Sequence, residues 1–187
     1  MIIIGLTGEK AGGKGTFVTL LCEAAPDKKI VRMGFGDIIG EICDILGKPR
    51  TRENMQKIPI ALIKEFGESD IITQAMRKRV AALSQGECDI LILDGIRRWE
   101  DYEYLRSFPA NHLVYVTASR WTRFNRARKR NEKVGEAQLT MEQFIAQDQA
   151  EIELLVPEIG KKADFRIDNE QPIDYYRMRV EEISDVI

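Results

Sequence analysis

The sequence predicts an α/β fold in which a parallel sheet of five strands carries helices on both faces. Five short apolar segments, at residues 1–4, 29–35, 89–93, 113–117 and 165–167, have the length and composition of buried strands. Longer segments with apolar residues at helical spacing lie between them. Strands that alternate with helices form parallel sheets, because each connection must cross one face of the sheet. Ligands of such sheets bind at the carboxyl ends of the strands.

The first strand runs directly into a glycine-rich segment. Residues 8–14 read GEKAGGK, which is the G-x-x-x-x-G-K spacing of a phosphate-binding loop. Its glycines let several backbone N–H groups turn toward one anion, and Lys14 adds a positive charge for the outer phosphates. A helix predicted to begin at Thr16 directs its positive end at the same phosphates. A glycine-rich turn that binds nothing is the alternative, but the flanking strand and helix patterns favour the loop.

Two residues are predicted to hold Mg²⁺. The strict motif has Ser or Thr directly after the lysine, whereas here Gly15 takes that place and the hydroxyl follows at Thr16. Asp94 ends the apolar segment 89–93, where a carboxylate can hold Mg²⁺ beside the loop. Asp94 can also cap the helix that follows, and the two roles are compatible.

The middle of the chain, residues 36–86, is predicted to be helical and to form an acceptor-binding lobe inserted into a single domain. The domain core is expected at residues 1–35 and 87–187. Helices are expected over residues 37–46, 51–66 and 69–83, with Asp37 and Thr51 as N-caps and with Pro59 as a kink or break. Further helices are predicted over residues 16–25, 99–108, 120–130, 140–155 and 173–187, and a short lid at about residues 130–140.

The composition excludes several function classes. The net charge is −2, so there is no global case for nucleic-acid binding. No apolar run approaches the ~20 residues needed to span a bilayer, and the apolar start lacks the basic leader of a signal peptide. The three cysteines are widely spaced and form no metal-ligand pattern, which indicates a reducing cytoplasm. We therefore expect a cytoplasmic monomer or homodimer with no membrane or nucleic-acid partner.

Arginines cluster at two places that a phosphate could reach. Arg97 and Arg98 follow a strand end, where a guanidinium can bind phosphate with two hydrogen bonds, although a solvated pair has the same sequence. Arg123, Arg126 and Arg130 share one face of the basic helix 120–130. Phosphoryl transfer requires such positive charge. A solvated face and a nucleic-acid stripe are the alternatives, and the second lacks stacking aromatic residues.

The residues that would bind the acceptor are the ones that the sequence defines least. Asp37 can orient or deprotonate an acceptor hydroxyl, but a plain N-cap would have the same sequence. Arg52 and the basic residues 77–79 are candidate anchors for an acceptor phosphate, with a solvated surface as the equal alternative.

The order of these motifs resembles the adenylate-kinase-like branch of the P-loop kinases, which includes nucleoside monophosphate kinases and dephospho-CoA kinases. Residues 8–16, GEKAGGKGT, resemble the phosphate loop of that branch, including the Gly-Thr after the lysine. Residues 94–97, DGIR, are similar to its D-G-x-x-R signature, though the proline of the family is absent. Residues 35–37, FGD, and 167–169, IDN, are similar to the start of its acceptor lobe and to its adenine-side loop.

The resemblance implies a three-layer P-loop NTPase fold, ATP as donor, Mg²⁺ as cofactor, and a nucleoside monophosphate or dephospho-CoA as acceptor. The catalytic residues it implies are Lys14, Asp37, Asp94, Arg126 and Arg130. The donor-binding residues it implies are Gly8, Lys10, Ala11, Gly12, Gly13, Lys14, Gly15, Thr16 and Asn169. Acceptor binding is implied for Asp37, Arg52, Arg97 and Arg98, and metal binding for Thr16 and Asp94.

Two rivals from other classes are a GTP-dependent switch and a nucleotide sensor without catalysis. Residues 37–40 spell D-x-x-G, which favours a switch, but no N-K-x-D segment for guanine occurs in the sequence. A sensor would need the loop lysine but not the arginines of helix 120–130.

Overall fold

The computed structural model describes residues 1–84, 86–130 and 136–187. It contains a sheet of five parallel strands in the order β2-β3-β1-β4-β5, which confirms the predicted fold class. The strands are β1 (Ile2–Thr7), β2 (Ile30–Gly34), β3 (Ile90–Asp94), β4 (Asn111–Thr117) and β5 (Phe165–Asp168). The first strand extends to Thr7, beyond the predicted end at residue 4, because it pairs with β3 on one side and β4 on the other.

Helices cover both faces of this sheet. They are α1 (Lys14–Ala24), α2 (Phe35–Ile45), α3 (Arg52–Phe66), α4 (Ile71–Ala81), α5 (Trp99–Arg106), α6 (Arg120–Arg130), α7 (Met141–Asp148), α8 (Val156–Gly160) and α9 (Ile173–Ser184). Two short 3₁₀ turns, Glu136–Gln138 and Glu151–Glu153, flank α7. Within the described residues, no helix combines the length and the apolar character that crossing a bilayer requires.

Strand β3, which pairs with β2 on one side and β1 on the other, shows why the strands are almost wholly apolar. Leu91 and Leu93 pack into a cluster with α2, α4 and α5, whereas Ile90 and Ile92 pack into a second cluster with α1 and α9. Successive side chains of a strand point to opposite faces, so a strand covered on both sides has no position for solvated residues. The polar side chains of β3 are therefore expected at its end, where Asp94 lies.

Two helices of the stretch at residues 36–86 pack directly against the sheet. Helices α2 and α4 share one hydrophobic cluster with β3 and α5, and α3 lies outside them. Thr51 caps α3 as predicted, since its hydroxyl accepts a hydrogen bond from the Asn54 N–H at 3.2 Å. Pro59 does not break this helix, which runs without interruption over Arg52–Phe66.

The single helix predicted over residues 140–155 is wrong. Its start is confirmed, because the Thr140 hydroxyl accepts the Gln143 N–H, but α7 ends at Asp148 and the chain turns before α8 begins. The turn leaves Leu155 exposed, where the helical pattern places it inward, and buries Glu153 instead. Residues 131–135 of the predicted lid at residues 130–140 lie outside the described residues.

We predict that Gly8 tolerates no side chain. Its φ is +151°, and a Cβ atom there would lie 2.1 Å from the Val116 carbonyl oxygen of β4. Gly15 is the matched control, since a Cβ atom there would meet nothing within 4 Å. Gly8→Ala should lower the free energy of unfolding by about 1–3 kcal/mol. Gly15→Ala, within α1, should leave it unchanged or raise it by up to ~1 kcal/mol. Equal effects in urea denaturation would contradict the close approach of β4.

Candidate active site

The phosphate loop at residues 8–16 is held in shape by the strands and helix behind it. Gly12 approaches β4 so closely that a Cβ atom would lie 2.8 Å from the Val116 carbonyl oxygen. The Asn169 side-chain N–H donates to the Gly12 carbonyl at 2.9 Å, and the Tyr176 hydroxyl donates to the Gly13 carbonyl at 3.1 Å. Helix α1 starts at Lys14 with no side-chain cap. The first-turn N–H groups, which an α-helix leaves without internal partners, therefore border the cleft.

Lys14 folds back over this loop. Its ammonium group donates to the Gly8 carbonyl at 2.6 Å and to the Glu9 carbonyl at 3.3 Å. Burial and then the positive charge of Arg97 lower the pKa of Lys14 from 10.5 to about 7. A bound anion would offset both effects, so the lysine is best protonated when the cleft holds phosphate.

A cleft of about 1180 Å³ opens in front of the loop. Its lining brings together the loop, the ends of β2 and β3, and parts of α3, α6 and α9. Asp94 is the acidic residue among the described lining residues, and the rest of the charge is positive. Such a cleft favours a polyanionic ligand. The basic residues of the lining are Lys10, Lys14, Arg32, Arg52, Arg97, Arg126, Lys129, Arg130 and Arg177.

Arg126 has an unused donor beside this cleft. Its Nη2 donates to the Asn169 backbone oxygen at 2.9 Å and lies 3.4 Å from the Asn169 side-chain oxygen. Its Nη1 is buried and has no hydrogen-bond partner among the described residues. An unpaired buried donor costs free energy, and an anion in the cleft would remove that cost. Asn169, which the resemblance places among the donor-binding residues, here links Arg126 to the loop.

Arg32 joins two of the predicted carboxylates, and the sequence reasoning missed it. Its Nε and Nη2 each lie 2.8 Å from Asp94 Oδ2, and its Nη1 donates to Asp37 Oδ2 at 2.9 Å. Burial alone would lower the pKa of Arg32, but these two carboxylates raise it overall. The available signal was a charged residue inside the apolar strand segment 29–35.

The sequence predicted Asp37 as the N-cap of α2, but Asp37 is the third residue of this helix. The helix begins at Phe35 with Gly34 as cap, and the Asp37 carboxylate accepts the Gly34 N–H at 3.0 Å. This contact still stabilises the helix N-terminus from one turn inside. Asp37 therefore reaches the cleft through Arg32, and its side chain is 48% exposed.

A second, smaller cavity of about 80 Å³ adjoins the cleft on the side of α2 and α3. Its apolar walls are Phe35, Ile39, Met55, Pro59 and Ile72. Arg52 and Arg97 line both cavities, so the cavities meet at these two guanidinium groups.

Glu153 holds the two shared arginines. Its carboxylate accepts from Arg52 through one oxygen and from Arg97 through the other, and the residue is only 5% exposed. Burial and then the charge of Arg52 lower the pKa of Arg97 to about 10. The sequence reasoning missed Glu153 because it placed this residue in a regular helix.

Arg98 does not share the position of Arg97, although the sequence predicts that both bind the acceptor. Its Nε donates to Glu100 at 3.3 Å, and it borders the smaller cavity but is not part of the cleft lining. Beneath it, Asp101 accepts the Thr73 hydroxyl at 2.7 Å, and burial raises the pKa of Asp101 to about 6.

The donor set of the cleft fits a magnesium ion that arrives with phosphate. Thr16 and Asp94 both line the cleft, and Mg²⁺ commonly takes one or two carboxylates plus phosphate oxygens and water. Among the described residues, no group of three or more His, Cys, Asp or Glu side chains could hold a metal by itself. The ion would therefore depend on the bound phosphates for most of its ligands.

Sequence comparison finds relatives that match this chain over almost its whole length. No protein-family model matches the chain. It is 27% identical over 187 residues to a UPF0200 protein of Thermococcus sibiricus, covering 98% of this chain and 94% of that protein. It is 29% identical over 174 residues to a UPF0200 protein of Methanothermobacter thermautotrophicus, covering 92% of this chain and 84% of that protein.

Two solved shikimate kinases have folds similar to that of this chain. Shikimate kinase from Bacteroides thetaiotaomicron matches with a TM-score of 0.61 and 16% identity, covering 99% of this chain and 97% of that one. Shikimate kinase from Acinetobacter baumannii in complex with shikimate matches with a TM-score of 0.51 and 16% identity, covering 100% and 90%. The chain therefore has the P-loop kinase fold, while its narrower resemblance to nucleoside monophosphate kinases stays a prediction.

We predict that nucleotide binding takes up a proton through Lys14. Its pKa is about 7 in the free protein and should return toward 10.5 beside bound phosphates. At pH 8 the Mg²⁺–nucleotide complex should therefore take up close to one proton, and at pH 6 almost none, so affinity should fall as the pH rises above 7. Calorimetry in two buffers of different ionisation enthalpy measures this uptake. Lys14→Arg, which stays charged, is the control, and an equal uptake in that variant would contradict the assignment.

Proposed function

We propose that this protein transfers the terminal phosphoryl group of ATP to a small phosphorylated acceptor, with a nucleoside or deoxynucleoside monophosphate as the first choice. The observation that carries the proposal is the meeting of two cavities at Arg52 and Arg97. One cavity contains a phosphate loop and an excess of positive charge, and the other has apolar walls that suit the body of an acceptor. Donor and acceptor phosphates would then meet at the shared arginines.

Each part of the site has a definite task in this reaction. The loop amides and Lys14 bind the outer phosphates of ATP, and Thr16 and Asp94 would hold Mg²⁺, which supplies positive charge that stabilises the transferring group. An oxygen of the acceptor bonds to the γ-phosphorus while the bond to the β–γ bridging oxygen breaks, and ADP leaves. Arg126, whose Nη1 is unpaired, and Arg130 neutralise the charge on the phosphoryl oxygens.

The hydrogen bonds that Asp37 already accepts favour a monophosphate acceptor over dephospho-CoA. A phosphate oxygen is already anionic at neutral pH and attacks without a general base, whereas the hydroxyl of dephospho-CoA must lose a proton. Asp37 is the candidate base, but its Oδ2 already accepts from Arg32 and from the Gly34 N–H. Dephospho-CoA therefore remains the alternative acceptor, for which Asp37 would have to act as base through its other carboxylate oxygen.

The first test is a panel of possible acceptors. Purified protein with ATP and Mg²⁺ is offered the ribo- and deoxyribonucleoside monophosphates, dephospho-CoA and shikimate, and ADP release is measured. We expect one class of monophosphate to raise ADP release well above the rate without acceptor. Uniform background release across the panel, with ATP bound, would instead leave the nucleotide sensor as the function of the site.

The second test separates binding from transfer. Lys14→Ala should abolish ATP binding, because it removes the mobile charge of the loop. Arg126→Ala should keep ATP binding but lower kcat by roughly 100-fold or more. Arg128→Ala is the matched control, since this arginine of the same helix donates to the Ala137 carbonyl and stacks on Phe124. Equal kcat values for the Arg126 and Arg128 variants would remove Arg126 from the transfer step.

A further inference from the structure

Glu153 lies where the acceptor of the proposed reaction would place its charge. The residue belongs to the 3₁₀ turn Glu151–Glu153, which follows α7 and does not belong to the phosphate loop or the acceptor helices. Its two carboxylate oxygens contact two different arginines, Arg52 of α3 and Arg97 after β3. The carboxylate also lines the smaller cavity. An oxyanion therefore already lies between the two arginines that join the cavities.

We infer that the Glu153 carboxylate is an internal competitor for the acceptor, filling the Arg52–Arg97 oxyanion site until a phosphate or carboxylate group of the acceptor displaces it. This inference rests on the proposed function for the identity of the acceptor, but not for the existence of the oxyanion site. Two guanidinium groups that flank one carboxylate present several N–H donors, which a tetrahedral phosphate can use at least as well as a carboxylate.

The charge balance explains why some anion must stay in this site. Arg52 and Arg97 are each 20% exposed, and the charge of Arg52 acts on Arg97 at short range. Two positive charges so close together in a partly buried place repel each other strongly without a counter-ion. Glu153 supplies that counter-ion from within the chain, so the empty site keeps its shape.

The turn that carries Glu153 can move away from the two arginines at low cost. The two residues that follow, Leu154 and Leu155, are 57% and 36% exposed, although both are apolar. Moving this turn outward would therefore remove little apolar surface from a packed core, and the main cost would be the ion pairs, which the acceptor replaces. The site then excludes uncharged acceptors, because they cannot replace the lost carboxylate.

The test measures binding of inorganic phosphate to the full chain by calorimetry, without nucleotide. Glu153→Gln removes the charge and keeps the shape, so phosphate should bind roughly tenfold more tightly than to the parent protein. Glu151→Gln is the matched control, since Glu151 is exposed on the same turn, and it should bind phosphate like the parent. The double variant Glu153→Gln/Arg97→Ala should lose the gain, which assigns the bound phosphate to this site and not to the loop.

Three outcomes would overturn the inference: an unchanged phosphate affinity in Glu153→Gln, an equal gain in Glu151→Gln, or a gain that survives the loss of Arg97. If Glu153→Gln does not fold, Glu153→Asp decides by the same criteria, because its shorter carboxylate keeps the charge but reaches both arginines less well. Phosphate affinity does not depend on turnover. Failure of the kinase proposal, seen as flat ADP release, is therefore distinguishable from failure of this inference.

Discussion

The concentration of positive charge in one cleft is the constraint on which the rest of the site depends. Among the described lining residues, basic side chains face a single carboxylate, Asp94. Carboxylates from several elements offset this repulsion. Arg32 forms ion pairs with Asp94 and Asp37. Glu153 forms ion pairs with Arg52 and Arg97. Like charges at short range in a partly buried place cost several kcal/mol unless they are paired. The ends of β2, β3 and α3 are therefore held together by ion pairs that a phosphate ligand would rearrange.

One stretch of chain, residues 147–153, contacts both halves of the site. Lys10 of the phosphate loop donates to the Gln147 side chain at 2.7 Å. Arg123 of α6 donates two hydrogen bonds to the Asp148 carboxylate. A few residues later, Glu153 contacts Arg52 and Arg97. The phosphate loop and these two arginines are thus contacted by one short stretch of chain. A displacement of this stretch would therefore change contacts on both sides of the cleft at once.

The elements that could be predicted are those with strong local patterns. Residues 90–93 form most of β3 because they are all apolar and lie between Asp89 and Asp94, and Thr51 caps α3 because its hydroxyl can reach a nearby N–H. The break after α7 could not be predicted in this way. The helical pattern continues through residues 140–155, but the chain turns there, so that Glu153 is buried between arginines and Leu155 is exposed. Propensity is a weak prior that such tertiary contacts override.

By itself, the sequence determined where the phosphate loop lies, because such a loop depends on the spacing of Gly8 and Lys14 within a few residues of each other. The same local reasoning placed Asp94 at a strand end. Only the tertiary structure decided which charges meet: Arg32 pairs with Asp94 across 62 residues of sequence, and Arg52 pairs with Glu153 across 101. Electrostatic interaction depends on distance in space, and no local pattern encodes the distance between segments that the fold brings together.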